Sequence, residues 1–144
     1  MKNSIKCLLL LTGSAYVLSC SKNDPLNELE GVYVPLFTNF WRIEKGPSGD
    51  GIVLNAVVNS IDSTKGTGLL TGSHLEGSSS YNMKGSFQNL NVEMWYLTNA
   101  ENGGDNGPCQ GRKYKGRYDT LSTPYRIRMA NVTDKTDSMV IRLN

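Results

Sequence analysis

The sequence is poor in the residues that most metal sites and catalytic sites require. It has one histidine and three cysteines in 144 residues, and these form no cluster with the spacing of zinc ligands. It also lacks the paired carboxylates and the nucleophile–base–acid pattern that are typical of hydrolases. We therefore expect a non-catalytic protein that holds no metal and no cofactor.

The sequence also lacks a run of one charge sign. Of its 15 basic and 13 acidic residues, only Lys2 and Lys6 precede Cys20, so 13 of each sign remain from Cys20 onward. A neutral chain without a basic run has no electrostatic footprint for nucleic acid. We expect no nucleic-acid partner.

No long stretch has the three-to-four-residue apolar period of a helix, and the 15 glycines argue against a helical bundle. Short runs of alternating apolar and polar residues are instead separated by Gly, Asn, Asp, Ser and Pro, which favours strands and turns. We predict about eight strands, with Pro35 interrupting the first. They span residues 31–43, 51–61, 66–75, 80–90, 91–98, 112–121, 125–132 and 138–144.

The alternation also predicts which side chains face inward. In the second strand Ile52, Leu54, Ala56 and Val58 share one side, and similar sets recur in later strands. One apolar and one polar face, repeated about eight times, is typical of an all-β antiparallel sheet curled on itself. Eight strands make a barrel that is filled by its own side chains or holds one small ligand. A β-sandwich of two sheets has the same local pattern and remains the alternative.

The first 20 residues have the organisation of a secretory signal. Lys2 and Lys6 precede an apolar run over residues 7–18, and Ser19 is a small residue before the predicted cleavage point. The run has about 12 residues, too few for a membrane-spanning helix, which needs ~20. We expect residues 1–19 to be a signal peptide.

The end of this signal, Val17-Leu18-Ser19-Cys20, resembles the lipobox of bacterial lipoproteins. The resemblance implies that the Cys20 thiol is diacylglycerylated, that the chain is cut before Cys20, and that the new amine is acylated. Two or three acyl chains hold a protein at a membrane almost irreversibly, because each buried CH2 contributes about 0.8 kcal/mol. The implied location is the cell envelope, anchored to the outer membrane, with the periplasmic or surface face left open.

Residues 20–30 are polar and lack a period, so we interpret them as a flexible tether to a β-barrel domain over residues 31–144. The segment is similar to the post-cysteine segments of Bacteroidota lipoproteins. Three Asp-Ser/Thr pairs resemble the O-glycosylation acceptor of that group, which makes Ser63, Thr120 and Ser138 candidate glycosylation sites. Ordinary turns are the alternative explanation for such pairs.

The segment Leu29-Glu30-Gly31-Val32-Tyr33 resembles the Gly-x-Trp opening of lipocalins and related calycin barrels, with tyrosine in place of tryptophan. The segment is also similar to small Bacteroidota lipoproteins that have lipocalin-like domains. The resemblance implies an up-and-down barrel with one open mouth that binds small apolar molecules. No binding residue of lipocalins is carried over to this chain by position. The candidates for ligand binding are instead its aromatic residues Tyr33, Phe37, Trp41, Tyr81, Trp95 and Tyr96.

His74 and the segment 99–111 allow more than one interpretation. His74 lies two residues from Glu76 on one face of a predicted strand, which suits acid–base pairing, but a surface histidine is the simpler interpretation. Cys109 is the one thiol left if Cys7 is removed and Cys20 is lipidated, and it lies in the longest stretch without a predicted element. This stretch is a contact loop, a calcium loop using Glu101, Asp105 and Asn106, or a plain hairpin loop.

Residues 111–118 are the densest basic patch of the chain and include Tyr114 and Tyr118. They suit an anionic glycan or a lipid headgroup, or are simply the solvent-exposed face of an amphipathic strand.

Together the observations predict a membrane-anchored binding module for a small apolar ligand, a glycan or a protein partner of the envelope. The alternative is a structural or accessory subunit of an envelope complex, with a filled barrel and no ligand. A dry cavity of ~300 Å3 or more would favour the first and a filled core the second.

Overall fold

The computed structural model describes residues 32–37 and 39–144. The predicted signal peptide over residues 1–19, the predicted anchor at Cys20 and the predicted tether over residues 20–30 lie outside the described residues. Residues Val32–Asn144 form one compact unit.

This unit is an all-β barrel, as the alternating sequence pattern predicts. Every strand pairs in antiparallel fashion with its neighbours in the chain, and the first strand also pairs with the last, so the sheet closes. The predicted eight-stranded up-and-down barrel is confirmed, and the alternative of a two-sheet sandwich is wrong. The strands are β1 Asn39–Lys45, β2 Gly51–Ala56, β3 Thr67–Glu76, β4 Ser79–Gln88, β5 Asn91–Tyr96, β6 Lys113–Asp119, β7 Arg126–Asn131 and β8 Ser138–Leu143.

The first two strands are shorter than the sequence predicts. β1 begins at Asn39 rather than at residue 31, and residues 32–37 lie outside any strand. Tyr33 therefore precedes the first strand instead of opening it, and its amide donates to Oδ1 of Asn89 at 3.0 Å. β2 ends at Ala56, because a 3₁₀ turn follows at Val58–Ser60, and Val58 is exposed rather than inward-facing.

The connections between strands gather at two ends of the barrel. The lower end consists of residues 32–37 and the connections 57–66, 89–90 and 120–125. The upper end consists of the connections 46–50, 77–78, 97–112 and 132–137. Because neighbouring strands are antiparallel, each connection is fixed to one end by the strand order alone.

The barrel interior is filled with apolar and aromatic side chains. Burying them removes apolar surface from water, which is the main favourable contribution to folding. The largest fully buried residues are Trp41, Tyr96, Tyr114, Tyr118, Phe37, Ile52, Leu54, Met83, Met94, Ile127, Met139 and Ile141.

Interior glycines let the backbones of neighbouring strands approach each other closely. A Cβ on Gly116 would lie 1.8 Å from the Arg128 carbonyl oxygen and 2.6 Å from the Met129 Cα. Glycine is required there because the neighbouring backbone approaches too closely for a side chain. The glycine and the methionine are direct cross-strand partners in the pairs Gly72–Met83, Gly85–Met94 and Gly116–Met129.

Candidate functional site

An aromatic cluster occupies the lower half of the barrel interior. The rings of Trp41 and Tyr118 meet edge to face, with centroids 5.7 Å apart, and Phe37 contacts Phe87 at 5.2 Å and Tyr118 at 5.8 Å. Trp41 is 0% exposed. Phe37 and Trp41, two of the predicted ligand-binding residues, therefore have other core side chains as their neighbours.

A second cluster, in the upper half, surrounds His74. The His74 Nδ1 lies 3.0 Å from the Tyr96 hydroxyl, and its ring centre lies 5.7 Å from the rings of both Tyr81 and Tyr96. Burial lowers the pKa of His74 below its ordinary value, and burial raises the pKa of Tyr96. Both side chains are therefore held in their neutral forms.

The interpretation of His74 as a surface residue is wrong, because its side chain is buried at 1% exposure. Its cross-strand partners are Ile52 and Tyr81, which also face the core. The other inward positions of β3 include Gly68 and Gly72. Since glycine contributes no apolar side chain, the alternation that would have placed His74 inside is interrupted.

At the upper end the Asp137 carboxylate collects donors from three residues. The Tyr114 hydroxyl donates to it at 2.8 Å, the Asn131 side-chain amide at 2.9 Å, and the Arg112 guanidinium lies 3.5 Å away. Burial, and then the hydrogen bond to Asp137, raise the pKa of Tyr114 to about 12. The donors and the carboxylate satisfy one another, which indicates a structural role for this group.

Residues 99–111 form an ordered cover of the upper end, which corrects the expectation of a stretch without secondary structure. They begin with a short helix, α1 Asn99–Asn102. The buried Asn106 side chain donates to the carbonyls of Asn82 and Leu97 at 2.9 and 2.8 Å, and it accepts from the Asn82 amide at 2.7 Å. These bonds join the loop to β4 and to the residue that follows β5.

The oxygens proposed for calcium already have partners within this loop. The Glu101 carboxylate accepts from the Thr98 amide at 2.8 Å, and Asp105 accepts from the Gly107 amide at 3.0 Å. Among residues 32–37 and 39–144, no group of three or more His, Cys, Asp or Glu side chains is placed to hold a metal ion.

Cys109 is buried, and burial raises the pKa of its thiol, which disfavours the reactive thiolate.

The outer wall of β3, β4 and β5 carries the strongest candidate binding surface. Trp95 lies between the inward-facing Met94 and Tyr96 in β5, so its ring faces outward. Its cross-strand neighbours are Lys84 and Lys113, and the Lys113 Nζ lies 5.2 Å from the centre of its ring. A groove of about 430 Å3, here called the Trp95 groove, is lined by Val57, Leu69, Leu70, Thr71, Lys84, Gly85 and Trp95.

A second depression of about 530 Å3 lies beside this groove on the same wall, bordered by Glu93 and Lys115. Glu93 forms ion pairs with Lys113 and with Lys115, the latter at 3.1 Å. Burial raises the pKa of Glu93, but the hydrogen bonds from the two lysines outweigh this effect and lower it below the ordinary value. Lys113 therefore contacts both Glu93, which borders the second depression, and the ring of Trp95, which lines the first.

The six predicted ligand-binding residues do not form one site. Phe37 and Trp41 lie in the lower cluster, and Tyr96 lies beside His74 in the upper one. Tyr33 is half-buried at the lower end, and Tyr81 is half-buried at the upper end with its hydroxyl 3.3 Å from Glu76. Trp95 alone among the six lies on the outer wall.

Trp95 is among the predicted binding residues, but Val57 and Leu69, which complete its groove, are not. A signal for Leu69 is present, because Leu69 and Leu70 are adjacent in one strand. Consecutive strand residues face opposite sides, so one of the two leucines has to lie outside the barrel. Leu70 is buried and Leu69 is exposed.

The candidate glycosylation residues follow aspartates that have structural contacts. Ser63 is exposed in a turn where Asp62 accepts from the Thr64 amide at 3.0 Å. Thr120 and Ser138 are half-buried; Asp119 accepts from the Leu121 amide at 3.0 Å, whereas Asp137 accepts from the Tyr114 hydroxyl at 2.8 Å. Turn formation accounts for Asp62 and Asp119, and glycosylation remains a prediction for all three sites.

Comparisons with protein-family models, with curated proteins and with solved structures found no match to this chain. Within the described part of the chain, no helix has the length and apolar character needed to cross a membrane.

Proposed function

We propose that this chain is a lipid-anchored, non-catalytic protein of the cell envelope that binds a protein or glycan partner in the Trp95 groove. The observation that carries the proposal is the position of Trp95, which faces outward above a concave, largely apolar surface. The lipobox-like residues ending at Cys20 support the membrane anchor.

The packing of the interior favours the outer wall over the barrel lumen as the binding surface. The side chains that would line an interior site are fully buried against one another, as Trp41 and Tyr118 are. A ligand inside the barrel would have to displace these contacts, and close-packed interiors resist such displacement. A partner on the outer wall displaces only water.

The chemistry of the Trp95 groove favours a particular kind of partner. Tryptophan offers a large rigid contact area, and a few central aromatic residues commonly provide most of the binding free energy of an interface. Lys84 and Lys113 border the ring, which favours a partner with acidic groups around an apolar contact. The hydroxyl of Thr71 adds a hydrogen-bonding group to the lining.

The proposal is tested by replacing Trp95 with alanine in the chain produced in its source cells. The protein is recovered from membranes in mild detergent, and the co-purifying protein and sugar are quantified by mass spectrometry. Loss of a central tryptophan costs about 2 kcal/mol or more of binding free energy, so we expect roughly 30-fold weaker retention of the partner.

Val132→Ala is the control, because Val132 is exposed and does not line the groove, and its contact with Lys113 is made by a backbone amide that the substitution keeps. We expect this variant to retain the partner as the wild type does. Equal retention by Trp95→Ala and the wild type would contradict the proposed site.

The anchor is tested in a separate experiment that measures the mass of the mature chain. We expect this chain to begin at Cys20 and to carry acyl groups.

The second candidate function is that of a structural or accessory subunit of an envelope complex without a ligand of its own. The filled interior favours this candidate as much as it favours binding on the outer wall. In the same experiment an accessory subunit would remain in its complex when Trp95 is replaced.

A further inference from the structure

The two ends of the barrel differ sharply in apolar exposure. Ten large apolar side chains are exposed among the described residues, and eight of them lie in the lower end. Three are in residues 32–36, three in residues 57–61, and two are Leu121 and Tyr125. Val57 also lines the Trp95 groove, and we call the other seven the apolar rim. Of the two outside the lower end, Leu69 lies on the outer face of β3, and Val132 lies in the upper end.

The charges of the connecting segments are distributed in the opposite way. The upper-end connections contain five acidic residues and two basic ones. The described lower-end segments contain one residue of each sign, Asp62 and Lys65, and these form an ion pair at 3.1 Å. The lower end is therefore apolar with its two charges paired, whereas the upper end is polar and acidic.

One side of the barrel wall is basic. The adjacent strands β6, β7, β8 and β1 carry eight Lys and Arg residues and two acidic residues. The other four strands carry one lysine and two acidic residues. Arg142 lies directly opposite Arg42 in β1 and Arg126 in β7. Like charges directly opposite each other destabilise a sheet, and Glu44 offsets this by binding Arg126 at 2.8 Å and Arg142 at 3.4 Å.

We propose that the lower end of the barrel docks on an anionic lipid bilayer. The apolar rim enters the interfacial region, and the arginines of β6, β7, β8 and β1 contact the phosphates of the headgroups. The acidic upper end points away, because the same surface repels it.

The path of the chain supports this orientation, and here the inference rests on the anchor of the proposed function. The described chain begins at Val32 in the lower end, twelve residue steps after Cys20. Even fully extended, such a segment spans at most about 40 Å. A barrel joined to a lipidated Cys20 by this segment stays close to the bilayer, and its lower end is the end to which the segment leads.

A bilayer fits these features better than a soluble polyanion does. The rim comes from three separated chain segments and consists of projecting side chains, which a surface with an apolar layer can take up together. A polyanion would contact the arginines and leave the rim in water. A bilayer places anionic headgroups beside an apolar layer, so it supplies partners for the arginines and for the rim at the same time.

The test uses residues 21–144, which lack the acyl anchor and contain the complete closed barrel. Binding is measured by flotation with phosphatidylcholine vesicles that contain or lack phosphatidylglycerol. We expect binding to the anionic vesicles, with weaker binding to the neutral ones and at high salt. The double variant Val58→Ser/Leu121→Ser should bind roughly tenfold more weakly or worse, because two apolar side chains no longer enter the bilayer.

Folding is not expected to limit this test, since Val58 is 79% exposed and Leu121 64% exposed. Thermal unfolding of the variant checks that its barrel is intact. Val132→Ser is the control at the upper end and should bind as the wild type does. Equal loss in the control, full binding by the double variant, or binding to a soluble polyanion but not to vesicles would overturn the proposal. None of these outcomes depends on Cys20 or Trp95, so they are distinct from failure of the proposed function.

Discussion

Substitution of Gly116 by alanine tests whether the barrel packs as closely as the Gly–Met pairs indicate. The added Cβ would lie 1.8 Å from the carbonyl oxygen of Arg128 and 2.6 Å from the Cα of Met129. Real Cβ atoms essentially never approach another heavy atom closer than 3.0 Å. Both opposing atoms belong to the backbone of β7, so a change of side-chain rotamer cannot relieve the contact.

The expected cost follows from this geometry. Relief requires β6 and β7 to separate by about 1 Å in a sheet that is closed on both sides, and overpacking of a core typically costs 1–3 kcal/mol or more. We expect a loss of about 3 kcal/mol or more in the free energy of unfolding. For a domain of this size that corresponds to a fall of roughly 12 °C in Tm.

The assay is thermal and urea unfolding of residues 21–144, followed by circular dichroism. Gly104→Ala is the control, because a Cβ there would meet nothing within 4 Å. We expect this control to stay within about 1 kcal/mol of the wild type. A Tm for Gly116→Ala within about 2 °C of the wild-type value would refute the reasoning, because the two strands would then have free space between them.

Three further predictions concern the upper end. Burial lowers the pKa of His74, so the unfolded chain binds the proton more readily than the folded one, and the free energy of unfolding should fall as the pH drops through about 6.5. His74→Gln should remove this pH dependence. The same dependence in His74→Gln as in the wild type would contradict the prediction. Asn106→Ala should destabilise the barrel by about 2–4 kcal/mol in urea unfolding, because it leaves backbone groups of Asn82 and Leu97 unpaired; a change under about 0.5 kcal/mol would argue against this role. Cys109 should react with a thiol reagent only after denaturation, since it is buried with a raised pKa; rapid labelling of the native protein would show an accessible thiolate.

The sequence predicts the strands well where their inward side chains are large and apolar. Val92, Met94 and Tyr96 alternate without interruption, and β5 lies close to its predicted place. The prediction is wrong at β1, because apolar residues continue through the segment 32–37, which pairs with no strand. An alternating pattern indicates which residues are apolar, but it does not show whether a neighbouring strand is available for pairing.

The candidate site is less predictable, because it depends on which strands are neighbours. Trp95 is identifiable as outward-facing from the sequence, since it lies between two inward residues. Lys113, which contacts its ring, and Val57, which lines the same groove, are 18 and 38 positions away, and no local pattern encodes this arrangement. The ordered fold of residues 99–111 was missed for a similar reason, since the partners of Asn106 include Asn82 in another strand.

Native mass spectrometry distinguishes a filled barrel that binds its partner from outside from a barrel that holds a ligand in its interior. The mature chain, purified from the source membrane in mild detergent, is measured before and after the partner is dissociated under conditions that keep the barrel folded. We expect the mass of the acylated polypeptide alone, apart from any covalent sugar, once the partner has left. A stoichiometric small molecule that persists in Trp95→Ala and leaves only when the barrel unfolds would contradict it, because such a ligand would occupy the interior.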